Sequence, residues 1–303
     1  MSLSSRRNKL IILKFFSLFS VVRGYNILII VLAQYLASIY ILAPELPLRE
    51  VLFDTHLFLI VFASALAIAG GYIINSFYDS EKDLINRPNK TKLDHMVSQN
   101  KKLTLYFVLN FLSVIVASYV SFRAVLFFSI YIFGIWFYSH KLKKLPFIGN
   151  LTSAILSITP FFAVFIYYAN FDAVIFVHAT FLFLIIAMRE LVKDLENLKG
   201  DLALNYQTIP IVFGEKSTKI MLTGLVGLTI IPIYLLVTRF DVGHMEYYFY
   251  ASLGLLIIFL VLLWRSRARF HYLLLHNILK FIIVAGVFSI LLIDVQVVLN
   301  RIF

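Results

Sequence analysis

His56–Tyr78 reads HLFLIVFASALAIAGGYIINSFY, a run of 23 residues without an Asp, Glu, Lys or Arg. Roughly 20 consecutive apolar residues are needed for a helix to cross the hydrocarbon core of a bilayer. Charged residues return directly after the run, in Asp79-Ser-Glu-Lys-Asp83. The stretch therefore predicts a transmembrane helix that ends in a charged segment.

Comparable runs recur along the chain, and eight in all lack Asp, Glu, Lys and Arg. They are Tyr25–Ala43, His56–Tyr78, Leu103–Phe122, Ala124–His140, Leu145–Phe171, Ala173–Met188, Ile220–Thr238 and Tyr247–Trp264. A ninth span is expected near Lys280–Asn300, where Lys280 and Asp294 interrupt or bound the apolar stretch. Strands of a membrane barrel alternate apolar and polar residues, and these runs do not. The sequence predicts an all-α, multi-pass transmembrane bundle of about nine spans.

Composition agrees with a membrane protein. The 303 residues are 61% hydrophobic and 14% charged, and their mean hydropathy is +0.91. Soluble domains are roughly 45–50% apolar and about 25% charged, so a water-soluble fold is excluded. No cysteine is present, which excludes disulfides and thiolate metal sites.

The formal net charge of +11 raises the possibility of nucleic-acid binding, but the positions of the charges exclude it. Alternate connections, beginning with the N-terminus, hold 22 of the 27 Lys and Arg residues. This asymmetry follows the positive-inside rule and predicts a cytoplasmic N-terminus. Leu10–Val22 is interpreted as an amphipathic segment at the membrane interface before the first span.

Acidic residues concentrate in two short stretches of the basic connections, residues 79–102 and 189–219. In the first stretch, Asn75, Asp79 and Asp83 are spaced i, i+4 and i+8, so on a helix they share one face. The second stretch repeats this arrangement with spacings of four, three and four. Its oxygen-bearing residues are Glu190, Asp194, Asn197 and Asp201.

Like charges at such spacings destabilise a helix by a few tenths of a kcal/mol per pair, and a cation would relieve that repulsion. Mg²⁺ prefers oxygen ligands and is typically held by one or two carboxylates together with substrate phosphates. Two carboxylate rows on one side of a membrane therefore predict a Mg²⁺-dependent diphosphate site. The competing interpretation, solvated caps at helix ends, suits one isolated DxxxD better than two matched rows.

The flanking sequence resembles the UbiA superfamily of intramembrane prenyltransferases. Four stretches carry the resemblance: Asn75 to Asp83, the segment that ends Lys199-Gly-Asp201, Tyr138 to Asn150, and Arg23-Gly-Tyr-Asn26. Within the superfamily, the chain is most similar to the geranylgeranylglyceryl phosphate geranylgeranyltransferases. It departs from them at Ser76 and Asn197, where Asp is usual, and at Thr91-Lys-Leu-Asp-His-Met-Val97.

The resemblance implies one prenyltransferase domain, residues 1–303. Its N-terminus (residues 1–24), which is cytoplasmic or interfacial, and its two motif loops (residues 79–102 and 189–219) would lie on the cytoplasmic side. It also implies a central cavity and a prenyl chain lying among apolar side chains. Asp79, Asp83, Asp194 and Asp201 would be catalytic residues and ligands of the cofactor Mg²⁺. The implied diphosphate-binding residues are Asn75, Arg23, Tyr138, Lys141, Lys143, Asn197, Lys193, Asn26 and Arg87.

The expected partners are a prenyl diphosphate, a lipophilic acceptor and the lipid bilayer of the cell membrane. The acceptor stays open between a geranylgeranylglyceryl phosphate-type ether lipid and an aromatic quinone or haem precursor. A transporter is the alternative from another class, but transporters place ionisable residues near the midplane, and these spans are nearly bare of them. A non-catalytic homologue is the third alternative. Prenyl length and oligomeric state are not determined.

Overall fold

The computed structural model describes residues 17–94 and 97–294, and these residues form helices joined by turns. Nine helices in these ranges are long and apolar enough to cross a membrane, which confirms the predicted all-α bundle. The interfacial segment predicted over Leu10–Val22 lies mostly outside the described residues.

The helices are numbered here in chain order. They are α1 (Gly24–Ala37), α2 (Leu48–Leu52), α3 (Thr55–Tyr78), α4 (Ser80–Asn86), α5 (Pro88–Asp94), α6 (Gln99–Ser118), α7 (Phe122–His140), α8 (Ile148–Tyr168), α9 (Ala173–Ala203), α10 (Ile209–Arg239), α11 (Glu246–Arg265) and α12 (Arg269–Ser289). A π-helical turn, Ser38–Leu42, continues α1. Three 3-10 turns complete the description: Leu142–Lys144, Gly243–Met245 and Ile290–Leu292.

The ninth span was predicted in the wrong place. It was expected near Lys280–Asn300, but the candidate span covers Arg269–Leu292. The sequence argument treated Lys280 as an interruption. In the structure this lysine lies inside α12 and is partly buried. A helix can accommodate a lysine in this way, because the long apolar stem of the side chain packs along apolar surface while the ammonium group stays in a polar environment.

The charged segment after the sixth span continues its helix, as predicted. The apolar run Ala173–Met188 is only the first half of α9, which extends through Asp194 and Asp201 to Ala203. One helix therefore carries both the apolar span and the row Glu190, Asp194, Asn197 and Asp201, called here the second acidic row.

The described chain divides into two compact units, each of which has its own apolar core. The first comprises the described residues of Met1–Val31 together with Leu59–Lys141. Ile73 and Tyr106 are buried at its centre, and Leu103 and Trp136 pack against them. This packing holds the end of α3 against α6 and α7. The row Asn75, Asp79 and Asp83, called here the first acidic row, begins at this end of α3.

The second unit comprises Leu32–Phe58 and the described part of Leu142–Phe303. Its central element is α9, which packs along α8, α10 and α12. The buried side chains of Ala154, Ile158 and Ile186 join α8 to α9. The second acidic row thus lies on the helix with the most neighbours in its unit.

Candidate active site

The first acidic row keeps its predicted geometry. The backbone N–H of Asp79 donates to the carbonyl of Asn75 at 2.9 Å, and the N–H of Asp83 donates to the carbonyl of Asp79 at 2.8 Å. The N–H of Arg87 continues the series with a bond of 2.7 Å to the Asp83 carbonyl. Four predicted site residues therefore form one row along α3 and α4, although Asp79 itself has turn geometry.

Arg23 and Asn26, predicted from the entry motif of the first span, meet at Tyr72 of α3. The Arg23 guanidinium lies 5.2 Å from the centre of the Tyr72 ring. The Asn26 amide donates to the Tyr72 hydroxyl at 3.3 Å. Since Tyr72 precedes Asn75 by three positions, about one helical turn, these two residues are anchored close to the first acidic row.

In the second unit, the central polar contact joins α8 to α9. The side-chain amide of Asn150 donates to Oδ2 of Asp194 at 2.8 Å. This charge-assisted bond fixes the orientation of the carboxylate. Oδ2 of Asp194 therefore accepts a hydrogen bond from the protein. The same bond fixes the direction in which the other carboxylate oxygen, Oδ1, points.

Glu190 belongs to the same helix but is used differently. Its side chain is buried and lies 2.9 Å from Lys193 Nζ and 3.2 Å from Arg189 Nη1. Two cations therefore compensate one buried carboxylate, as buried charges require. Lys193, predicted as a diphosphate ligand, has this ion pair with Glu190 in the structure.

The loop between α7 and α8 packs closely around the predicted ligand Lys143, which is only 8% exposed. Gly149 makes this packing possible, because a Cβ there would lie 3.0 Å from the Leu142 carbonyl oxygen and 3.2 Å from Lys143 Cα. At Phe147, φ is 58° and ψ is −55°, and the N–H of Ile148 donates to the Pro146 carbonyl at 2.6 Å. That is a strained γ-turn with positive φ.

The same loop is tied to the segment that follows Asp201. The N–H of Gln207 donates to the Lys144 carbonyl at 2.9 Å, and Lys144 Nζ lies 5.3 Å from the centre of the Tyr206 ring. Residues 142–150 therefore contact both Asp194 in the second acidic row and the segment that follows Asp201. We call these residues the central loop.

Asp201 and Asn197 are both buried, at 0% and 5% exposure. The Thr208 hydroxyl donates a long hydrogen bond of 3.5 Å to Oδ2 of Asp201. A carboxylate with no exposed surface requires compensation by hydrogen bonds or by a cation. The structure thus places Asp194, Asn197, Asp201 and Lys143 in the second unit, with two of these oxygen-bearing side chains shielded from solvent.

Apart from Lys193 on α9, the other predicted residues lie in the first unit. Tyr138 is half-buried near the end of α7, and Lys141 is exposed immediately after that helix. Roles in diphosphate binding for these two residues, and for Arg87, stay predictions.

The side chains present fit a Mg²⁺ ion that is held partly by the protein and partly by phosphate. Among the described residues, no three His, Asp or Glu side chains converge as a group that could hold a metal by themselves. The donors are instead carboxylates and amides in short rows, and one carboxylate is oriented by Asn150. Such a donor set suits an ion that takes one or two protein carboxylates and completes its shell with phosphate and water.

Sequence reasoning missed three contributors to this arrangement: Asn150, Tyr72 and Tyr206. Asn150 belongs to a motif that the sequence analysis quoted, but it received no role because its partner lies 44 positions away. For Tyr72, the available signal was its position one turn before Asn75 on the same helix. Nothing in the sequence distinguished Tyr206 from the other 16 tyrosines.

The part of the chain that the structure describes has nine helices suited to cross a membrane, and two of them carry rows of acidic residues at their ends. These features define a multi-pass membrane protein. The UbiA prenyltransferase family matches residues 24–271. The chain therefore belongs to the UbiA prenyltransferase family, which confirms the resemblance inferred from its motifs.

Curated relatives agree with this membership. Over 203 residues the chain is 34% identical to the digeranylgeranylglyceryl phosphate synthase of Thermococcus sibiricus, covering 66% of this chain and 70% of that protein. It is 33% identical over 172 residues to the synthase of the same name from Pyrococcus furiosus, covering 55% of this chain and 60% of the relative.

Solved structures share the fold. A structure concerning digeranylgeranylglyceryl phosphate synthase superposes with a TM-score of 0.68 at 21% identity, covering 91% of this chain and 97% of that one. A UbiA homologue from Archaeoglobus fulgidus bound to GPP and Mg²⁺ gives a TM-score of 0.66 at 14% identity, covering 90% and 99%.

Proposed function

We propose that this protein transfers a prenyl group from a prenyl diphosphate to a hydroxyl group of a glycerol ether lipid that carries a phosphate. Family membership supports prenyl transfer, and the names of the curated relatives support this acceptor. The observation that carries the proposal is the pair of oxygen-rich rows at the ends of α3 and α9, in which Asn150 holds Asp194 in a fixed orientation. Residues 1–303 are proposed to act as one prenyltransferase domain.

The acidic residues would hold Mg²⁺: Asp79 and Asp83 from the first unit, Asp194 and Asp201 from the second. Asn75 and Asn197 would add neutral amide oxygens. When bound, Mg²⁺ supplies positive charge that stabilises the diphosphate as a leaving group.

The cationic and polar residues would bind the remaining diphosphate oxygens. Charge-assisted hydrogen bonds from guanidinium and ammonium groups are roughly twice as strong as neutral ones. The residues proposed for this role are Arg23, Asn26, Arg87, Tyr138, Lys141, Lys143 and Lys193.

In the reaction, the bond between the first prenyl carbon and the bridging oxygen breaks, and the diphosphate leaves with the electron pair. The allylic cation that remains is captured by the acceptor hydroxyl oxygen, which then loses its proton. The protein's contribution is to hold the leaving group in fixed charges and to keep water from the cation, since a preorganised polar site needs no reorganisation during the reaction.

The site is proposed to face the cytoplasm of the cell that carries it, with the N-terminus on the same side. The supporting observation is the concentration of Lys and Arg in alternate connections. A phosphate-bearing lipid acceptor would then approach from the bilayer with its headgroup at the level of the acidic rows.

The test is an assay of the purified protein in nanodiscs with Mg²⁺ and labelled geranylgeranyl diphosphate. Geranylgeranylglyceryl phosphate, 4-hydroxybenzoate and a naphthoate are offered as competing acceptors. We expect transfer to the glycerol lipid, abolished by EDTA and by Asp79→Ala. Transfer only to an aromatic acceptor would contradict the proposed acceptor. No transfer and no diphosphate release from folded protein would contradict the enzyme function itself.

A further inference from the structure

The connection between α11 and α12 carries three arginines at alternate positions, in the sequence Arg265-Ser266-Arg267-Ala268-Arg269. Arg265 is the last residue of α11, and Arg269 is the first residue of α12. Ser266 and Ala268, which lie between the arginines, have extended backbone. Successive side chains point to opposite sides of an extended backbone. We call residues 265–269 the arginine segment.

Ser266 shows which side of this segment faces the protein. It is only 2% exposed, and its carbonyl accepts a hydrogen bond of 2.6 Å from Lys219 Nζ of α10. The backbone N–H groups of Arg267 and Ala268 donate to His271 Nδ1 at 3.3 and 3.4 Å. The backbone of the segment is therefore held in place, and all three of its arginines are exposed on the outer side.

The carboxylates near the segment already have close partners. Glu215 Oε1 lies 2.8 Å from Lys219 Nζ and accepts a hydrogen bond of 2.5 Å from the Tyr272 hydroxyl. Glu196 of α9 lies 3.6 Å from the guanidinium of Arg269. In the part of the chain that the structure describes, the other two arginines of the segment have no such ion pair. The outer side of the segment therefore keeps an excess of positive charge.

Exposed aromatic side chains flank the arginines. Trp264 directly precedes the first arginine and is 49% exposed, and Phe270 directly follows the last one and is 72% exposed. The indole N–H of Trp264 donates to the Thr223 hydroxyl at 3.2 Å, which fixes the ring. Both flanking helices are candidate spans, and aromatic residues at the ends of spans lie at the level of the lipid headgroups. The arginines between these rings are therefore placed where phosphate groups belong to lipids.

The chemistry of the segment suits a phosphate. Arginine binds phosphate through two parallel charge-assisted hydrogen bonds, and basic clusters at the ends of spans attract anionic lipids. The first turn of α12 contains Arg269 and no acidic residue, and a positive charge at the start of a helix is unfavourable. A bound anion would relieve this local excess of positive charge.

We propose that the arginine segment binds the phosphate of an anionic membrane lipid, with Arg265 and Arg267 as its main contacts. The exposed rings of Trp264 and Phe270 would pack beside the glycerol and the upper acyl chains of the same lipid. This inference goes beyond the proposed function and does not depend on it.

The test measures lipid binding to the full-length protein in a neutral detergent. Fluorescent phosphatidylglycerol is titrated against the protein, and phosphatidylcholine with the same label serves as the lipid of zero net charge. The test variant is Arg265→Gln/Arg267→Gln. Arg269 is left unchanged because it contacts Glu196. The matched control is Arg49→Gln/Arg239→Gln, which removes the same charge at two other exposed positions.

We expect the test variant to bind phosphatidylglycerol about 30-fold more weakly than the wild type, since each arginine near an anionic lipid contributes about fivefold. Arg267→Gln alone should weaken binding by about fivefold, and it provides the same test if the double variant does not fold. The control should bind like the wild type. Equal losses in the two double variants, or equal binding of the two lipids by the wild type, would overturn the proposal.

Two further measurements identify what is bound and where. Lys141→Gln/Arg87→Gln removes two cations of the proposed diphosphate site and should leave phosphatidylglycerol binding unchanged. If this variant loses as much affinity as the test variant, the lipid occupies the active site and the proposal fails. Competition by inorganic phosphate at the same concentration as the lipid would also overturn it, because the segment would then take a free anion. Neither result depends on prenyl transfer, so failure of the proposed function would be seen separately.

Discussion

At the scale of single residues, Asn150 is the polar side chain whose role depends most clearly on the tertiary structure. Its amide reaches Oδ2 of Asp194 at 2.8 Å from a different helix. An unsupported carboxylate rotates and accepts hydrogen bonds from water, so a proposed metal ligand benefits from a fixed partner. Partners of this kind affect metal affinity although they never touch the metal.

Asn150→Ala should therefore weaken the response to Mg²⁺. We expect the Mg²⁺ concentration for half-maximal activity to rise by about 10- to 100-fold, the usual cost of losing such a partner. The Mg²⁺-dependent increase in thermal unfolding temperature should shift to higher concentrations by a similar factor. Both are measured on purified protein at fixed ionic strength.

A matched control is available in the same unit. The Asn170 amide donates to the Leu42 carbonyl at 3.0 Å, and Asn170 follows the end of α8 opposite to Asn150. Asn170→Ala should leave the Mg²⁺ dependence unchanged. If both variants respond to Mg²⁺ like the wild type, Asn150 does not position a metal ligand.

At the scale of elements, the central loop depends on a glycine. A Cβ at position 149 would approach the Leu142 carbonyl oxygen to 3.0 Å, closer than side chains normally come. Gly149→Ala should displace the backbone around Lys143 and raise KM for the prenyl diphosphate more than KM for the acceptor. Equal changes in the two values would indicate a general loss of structure instead.

Helix α10 contains a break that is set by one residue. At Gly214, φ is 81° and ψ is 163°, a conformation that is essentially restricted to glycine. The break separates Ile209–Phe213 from the long apolar part of the helix. These five residues therefore need not follow the direction of the span.

Gly214→Ala should destabilise the protein by about 1–3 kcal/mol through backbone strain alone, since nothing lies within 4 Å of the added Cβ. Gly224→Ala is the control, because it lies in the same helix with equal space. There alanine should be neutral or stabilising by up to about 1 kcal/mol. Thermal unfolding in one detergent compares the two, and equal effects would show that Gly214 bears no strain.

At the scale of the whole molecule, the absence of cysteine makes the proposed orientation directly testable. Single cysteines at the exposed positions Glu81 and Lys199 should react with a membrane-impermeant maleimide only after the cells are opened. Cysteines at the exposed positions Glu45 and Asp172 should react in intact cells. The opposite labelling pattern would contradict the orientation inferred from the Lys and Arg distribution and would place the N-terminus outside the cytoplasm.

Much of the architecture was predictable because its causes are local in the sequence. Eight charge-free runs identified eight of the nine candidate spans, since the bilayer thickness sets the length of each helix. The acidic rows were predictable because helical spacing fixes which side chains share a face. The ninth span was misplaced because composition alone could not show how Lys280 would be accommodated within α12.

By itself, therefore, the sequence determined the class of fold and the two oxygen-rich rows, which follow from the composition and spacing of residues within single helices. Its motifs also indicated the family by resemblance. The tertiary structure decided which groups support those rows. It brought Asn150 to Asp194, Tyr72 to Arg23 and Asn26, and Arg269 to Glu196. The physical reason is that helical periodicity acts over a few residues, whereas these contacts join positions tens of residues apart and exist only once the helices have packed.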